Sequence, residues 1–209
     1  MPMNIGTLGT GRVASTLAGG LVEAGHTVTL GSRRPEAVED SPFPVADQEE
    51  AVRSASLVIN ATPGRVSVEV VKAIGPDAFA GKVLLDVANA VTADFDLVYP
   101  NRSVAQALQQ ALPEARVVKS LNTMAAPLMV SPPTIPPSNV FVSGDDAEAK
   151  ATVSGLLEDL SWTSESILDL GGIESARGPE HYFLLFLAVS QATGSPLFNI
   201  HIVRQQDSL

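Results

Sequence analysis

Gly9-Thr10-Gly11-Arg12-Val13-Ala14 spells G-x-G-x-x-A between an apolar run, Met3 to Leu8, and a stretch with helical spacing. That arrangement suits a diphosphate. The first glycine allows a tight turn, the second lets the ligand approach the backbone, and the small Ala14 lets helix and strand pack closely. The free N–H groups of the first helical turn, with the helix dipole, attract the negative charge. An isolated glycine turn means little. One that leaves a strand, opens a helix and precedes a second strand starting 16 residues after Gly11 is specific.

The second strand ends in Gly31-Ser32-Arg33-Arg34. Folds that take NAD usually place an acid here, where it accepts from ribose hydroxyls. A carboxylate would repel a 2′-phosphate, whereas Ser32, Arg33 and Arg34 can all donate to one through strong charge-assisted bonds. NADP(H) is the expected cofactor. In the competing reading, Arg33 and Arg34 are solvated loop charges paired with Glu36 or Glu39.

Proton donors are few. The histidines are His26, His181 and His201, and the tyrosines are Tyr99 and Tyr182. His26 sits in a turn remote from the carboxyl ends of the strands and reads as structural. His181 reads as a surface or interface residue and His201 as a subunit contact. Lys119 is the remaining candidate, with its amine expected to snorkel outward from its strand. An alcohol dehydrogenase moves a proton with the hydride, whereas a flavin-like ring needs chiefly alignment. The pattern therefore favours reduction of a ring system. Met124, Met129, Leu121 and the Pro132-Pro133 loop are candidates for an apolar wall, with core packing as the alternative for the methionines.

The elements that must position these residues alternate. Strands are expected at Met3–Leu8, Thr27–Leu30, "SLVINATP", "KVLLDVAN", "ARVVKSLN", "NVFVSG" and "SILDL". Helices are expected at Val13–Ala24, Asp47–Ser54, Val66–Ile74, Ser103–Ala111, Asp145–Asp159 and Glu174–Thr193. Apolar strands alternating with helices predict an α/β fold, a doubly wound parallel sheet covered on both faces. "SPPTIPPSNV" is too rich in proline for a central strand and reads as a surface loop, or less readily as a lid. The tail "FNIHIV" alternates like a strand or extended arm, and Arg204 to Leu209 is expected to fray. The division is residues 1–171 as a dinucleotide-binding domain, then 172–209 as a helix and tail that cover the cleft and meet a partner.

Composition narrows the alternatives. Of the 209 residues, 45% are hydrophobic and 17% charged, so a folded core is expected rather than disorder. A formal charge of −10 repels nucleic acid and acidic membranes. The absence of cysteine excludes disulfides, thiolate zinc sites and a cysteine nucleophile. No signal-peptide pattern is evident and no apolar run reaches membrane-spanning length, so a cytoplasmic location is expected. The run "HYFLLFLAVSQATGSPLFNIHIV" is apolar on more than one helical face and predicts a homodimer. The alternative packs this helix wholly into its own sheet.

"GTGRVA", "GSRRP", "VVKSLNTMAAPLM", "VSGDDAEAK" and "LDLGGIESARGPEHY" together resemble the family of coenzyme F420-dependent NADP oxidoreductases. The resemblance spans nearly the whole chain. It implies a Rossmann-type NADP-binding fold with a small C-terminal helical extension, and hydride transfer between NADPH and a partner on the nicotinamide. By position, Gly9, Thr10, Gly11, Arg12 and Val13 would hold the pyrophosphate, and Ser32, Arg33 and Arg34 the 2′-phosphate. Thr62-Pro63 and Val87-Ala88-Asn89 would border the nicotinamide, facing a substrate segment Asn122-Thr123-Met124-Ala125. The chain departs from the family pattern at Asn122, where deazaflavin-reducing members resemble a "HT-[IV]-P-A" sequence. Asparagine can hydrogen-bond a carboxamide or ring carbonyl but cannot carry the imidazole's charge. The expected acceptor is accordingly a flat conjugated ring, either coenzyme F420 or a flavin. The alternatives are an imine or carbonyl reductase with Lys119 or His181 as proton donor, and a non-catalytic NADP sensor.

Overall fold

The computed structural model describes residues 1–205. Six parallel strands form the main sheet: β1 (Asn4–Leu8), β2 (Thr27–Ser32), β3 (Val45–Asp47), β4 (Leu57–Asn60), β5 (Val83–Asp86) and β6 (Arg116–Lys119). Their order is β3-β2-β1-β4-β5-β6, so the chain reverses direction across the sheet between β1 and β4. In such sheets the crevice at the carboxyl ends of the strands around that reversal receives ligands.

The strands are apolar on both faces because both are covered. Leu57 and Ile59 of β4 and Leu85 of β5 join one core. It includes Leu17 and Leu21 of α1 (Arg12–Glu23) and Leu156 and Leu157 of α6 (Ala147–Asp159). The alternate residues Val58, Leu84 and Val117 face the other core. There they meet Val52 of α2 (Gln48–Ser54), Val71 of α3 (Gly64–Ile74) and Leu108 of α4 (Val104–Ala111). This division follows from the twofold period of a strand.

Helix α4 begins with a capping box: Gln106 N donates to Ser103 Oγ at 3.0 Å, and Ser103 N donates to Gln106 Oε1 at 2.8 Å. The remaining strands, β7 (Val140–Val142) and β8 (Ile167–Asp169), pair with each other. A single antiparallel bridge between Lys119 and Ser143 ties them to β6.

One strand escaped the sequence reading, while the proline-rich loop and the extended tail take definite form. The strand β3 follows Pro44 and is absent from the sequence reading; two half-exposed residues and the exposed Asp47 give no alternation to read. "SPPTIPPSNV" follows a short helix, α5 (Ala126–Met129), and contains a tight turn at Pro132–Thr134. "FNIHIV" is an arm rather than a strand. It is held where Asn139 N donates to Ile200 O at 2.8 Å and Ile202 N donates to Asn139 Oδ1 at 2.8 Å. The expected fray beyond Arg204 lies, from residue 206 onward, outside the described residues.

The final helix, α7 (Arg177–Thr193), buries only Pro179 and Glu180. Leu184 is 46% exposed and Leu185 56%, so the helix does not pack wholly into its own sheet. No helix among the described residues is long and apolar enough to cross a membrane.

Candidate functional site

At the carboxyl ends of β1, β2, β4, β5 and β6 lies a cleft of about 810 Å³. Its first end is built by the glycine turn. Gly9 has φ +108°, and a Cβ there would come within 3.0 Å of Ala61 O, so only glycine fits. Gly11 is the N-cap of α1 without any side-chain cap, which leaves the first N–H groups of the helix without intrahelical acceptors. A Cβ on Gly11 would meet no atom within 4 Å. The residue lines the cleft with Thr10, Arg12 and Val13, so the space above it suits a diphosphate.

Ser32, Arg33 and Arg34 line the same end. Ser32 Oγ accepts from Arg34 N at 3.1 Å, which shapes the turn and leaves the hydroxyl proton available outward. Both arginines are exposed. Among the described residues neither pairs with a carboxylate, so the reading that ties them to Glu36 or Glu39 is not what the fold adopts.

The other end is framed by Thr62, Pro63, Ala88, Asn89, Asn122, Met124 and Ala125, with Met129, Phe183 and Phe186. Leu121 has φ +62° and is buried. A left-handed leucine costs about 1–3 kcal/mol and is seldom retained outside functional turns. This turn brings Asn122 to the wall, where its Nδ2 donates to Asn89 Oδ1 at 2.9 Å. Asn89 Nδ2 donates back to Asn122 O at 2.8 Å.

Thr123, expected beside the substrate, is buried and is not on the cleft wall. Leu121 and the Pro132-Pro133 loop are also absent from that wall. The prolines instead line a separate pocket of about 350 Å³ with Trp162 and His201.

Lys119 does not snorkel. It is 1% exposed because three oxygens hold its ammonium: Asp86 Oδ2 at 2.8 Å, Glu180 Oε1 at 3.1 Å and the carbonyl of Ala88. Burial opposes its charge, but the two facing carboxylates outweigh burial and raise its pKa above the ordinary 10.5. It is neither on the cleft wall nor able to give up a proton readily, which removes it as a donor. His181 Nε2 lies 3.3 Å from Tyr99 O and is also off the wall. His26 is structural, between Met3 N and Asp159 Oδ2. Among the described residues the titratable side chains on the cleft wall are Arg12, Arg33 and Arg34, all at the phosphate end.

Sequence reasoning missed the buried polar row beneath the wall. Asn60, Asp86 and Lys119 are register partners on β4, β5 and β6, and Asn60 Nδ2 donates to Asp86 Oδ1 at 2.7 Å. One polar residue ending each of three apolar strands was the available signal. Phe183 and Phe186 were not singled out, although the segment 172–209 that carries them was expected to cover the cleft.

The family model for coenzyme F420-dependent NADP oxidoreductases matches residues 4–90. The chain is similar to metalloreductase STEAP3 of Rattus norvegicus, 34% identical over 84% of this chain. It spans about a third of that relative, 35% of its length. An imine reductase from Streptomyces aurantiacus shares the fold at TM-score 0.66, with 17% identity over 90% of this chain and 63% of that one. A solved structure from Arthrobacter sp. FB24, described as a candidate F420-dependent NADP-reductase, superposes at TM-score 0.91. It is 38% identical and covers 97% of this chain and 100% of its own. A likeness of that extent shows that the chain belongs to the family of coenzyme F420-dependent NADP oxidoreductases.

Proposed function

We propose that this protein binds NADPH along the cleft and passes hydride to a flat conjugated ring, a deazaflavin such as coenzyme F420 or a flavin. The observation that carries the reading is the division of the cleft wall. Its three titratable side chains stand at the phosphate end, and the opposite end is lined by Met124, Met129, Asn89, Asn122, Phe183 and Phe186.

The cofactor supplies the hydride, and the protein's part is binding and alignment. Gly9 to Val13 would hold the pyrophosphate on the N-terminus of α1, and Ser32, Arg33 and Arg34 would hold the 2′-phosphate. Thr62, Pro63, Ala88 and Asn89 would orient the nicotinamide. Asn122, Met124 and Ala125 would face the acceptor, with Asn122 Oδ1 left to accept a hydrogen bond while its Nδ2 is engaged by Asn89. Apolar and aromatic side chains exclude water from the transfer. Among the described residues no lysine, histidine, tyrosine or carboxyl side chain on this wall offers the proton that an alcohol or imine chemistry would need.

Anaerobic single-turnover oxidation of NADPH against coenzyme F420, FMN, FAD and a cyclic imine tests the proposal. Fast oxidation by a ring acceptor is expected. Oxidation by the imine alone would favour the imine-reductase reading, and none by any acceptor would favour a sensor.

A homodimer in the cytoplasm completes the reading. The exposed Leu184 and Leu185 of α7 support the dimer, since clustered exposed apolar side chains mark interaction surfaces.

A further inference from the structure

The first turns of α7 are tied down by Arg177, which donates to Pro100 O at 3.1 Å, by His181 beside Tyr99 O, and by one buried carboxylate. Glu180 is 4% exposed, and its oxygens accept from Val104 N at 2.9 Å and Ala105 N at 3.3 Å at the start of α4. Lys119 Nζ lies 3.1 Å from Glu180 Oε1. From Lys119 the bonds continue to Asp86 Oδ2 and to the carbonyl of Ala88. Asp86 Oδ1 accepts from Ala88 N at 3.3 Å and from Asn60 Nδ2 at 2.7 Å. Asn60 Oδ1 then accepts from the Thr62 hydroxyl at 2.6 Å. One ion pair and a run of hydrogen bonds therefore connect the root of α7 to Ala88 and Thr62, both on the cleft wall.

Stability alone does not call for these charges. Buried ion pairs are often replaceable by apolar residues of similar volume without loss, and α4 already has its capping box. What the ions add is direction. Ala88 is pinned on both sides, its N–H by Asp86 and its carbonyl by Lys119, so the peptide planes flanking it are fixed. Asn89 follows immediately and meets Asn122 across the wall. The same Glu180 precedes Phe183 and Phe186 on α7, so one group links the Ala88 loop to the helix that carries the aromatic lining.

The geometry points to Lys119 and Glu180 as positioning residues for the nicotinamide end of the cleft, acting through Ala88 and Asn89 without touching a bound group. This rests on the NADPH reading above. It separates the two ends of the cleft: loss of the relay should disturb the nicotinamide end and spare the phosphate end, which is built on α1 and β2.

The test titrates NADPH and adenosine 2′,5′-bisphosphate, which has the 2′-phosphate but no nicotinamide, against wild type, Glu180→Gln and Lys119→Met. Thermal melts are recorded alongside. The expected result is NADPH binding weakened roughly tenfold in both variants, with the bisphosphate bound within about twofold of wild type. Equal losses for both ligands, or NADPH affinity unchanged in a folded variant, would overturn the assignment. Lys119→Met leaves two carboxylates without their cation; if it does not fold, Glu180→Gln decides alone. Wild type that binds the bisphosphate but not NADPH contradicts the assignment, and wild type that binds neither contradicts the cofactor reading and the assignment with it.

Discussion

Asn89 and Asn122 clasp each other across the end of the cleft: each side-chain amide donates to the other residue, at 2.8 and 2.9 Å. The reciprocal pair joins the loop after β5 to the turn after β6, and it fixes which atom of each amide faces the ligand. A histidine at position 122 would keep the backbone carbonyl that accepts from Asn89, but its ring nitrogens lie on a different frame from the Nδ2 that donates to Asn89 Oδ1.

Asn122→Ala removes one bond of the pair while leaving its backbone carbonyl for Asn89. Hydride transfer should slow by about tenfold, because misplacement of reacting groups is penalised steeply. Binding of adenosine 2′,5′-bisphosphate should be unchanged. Stopped-flow oxidation of NADPH with the best ring acceptor measures the rate, and an unaltered rate constant would show that the pair does not align the reactants.

Gly11→Val should keep the fold and lose the cofactor. The backbone at Gly11 has φ −78°, which any residue adopts, and a Cβ there meets open space. The valine would instead fill the approach to the N-terminus of α1. Circular dichroism should match wild type while NADPH affinity falls by about a hundredfold or more. Tight binding by the folded variant would contradict this placement of the pyrophosphate.

Glu180 also predicts a pH signature. Burial and the facing Asp86 carboxylate raise its pKa above the ordinary 4.5, outweighing Lys119 and the backbone bond from Val104. A single ammonium between two buried acids cannot fully compensate both. Because the folded value is the higher one, the stability this group contributes is complete below pH 4.5 and is lost as pH rises through the raised value. Glu180→Gln lacks this loss, so its stability relative to wild type should climb as the pH rises from 4.5 towards neutrality. Urea denaturation across that range reads the difference, and parallel curves would show an unshifted carboxylate.

Light scattering tests the dimer. A mass about twice 21.8 kDa is expected, and Leu184→Lys with Leu185→Lys should reduce it to one chain without loss of helix signal. A wild-type mass of 21.8 kDa at micromolar concentration would contradict pairing through α7.

Periodicity and turn chemistry made most of the sheet and the phosphate end legible. Gly9, Gly11 and Ser32 to Arg34 act through local backbone and end-of-strand positions that a sequence displays directly. The nicotinamide end was less legible because its parts meet only in three dimensions. Lys119 looked like a snorkelling strand residue; its carboxylate partners, Asp86 and Glu180, lie on another strand and on the last helix. Thr123 shares a motif with Asn122, yet the left-handed turn at Leu121 sends one to the wall and leaves the other buried. Three-residue β3 carries too little pattern to stand out beside Pro44.

Selectivity of the cleft for the 2′-phosphate of NADPH is decided by a paired titration. NADPH and NADH are titrated by fluorescence into wild type and into Arg33→Ala and Arg34→Ala. Each charge-assisted bond lost should cost about 1.5–3 kcal/mol, roughly ten- to a hundredfold. Wild type should prefer NADPH, and both variants should lose affinity for NADPH while keeping that for NADH. Equal wild-type affinities for the two cofactors, or equal losses for both in the variants, would contradict it.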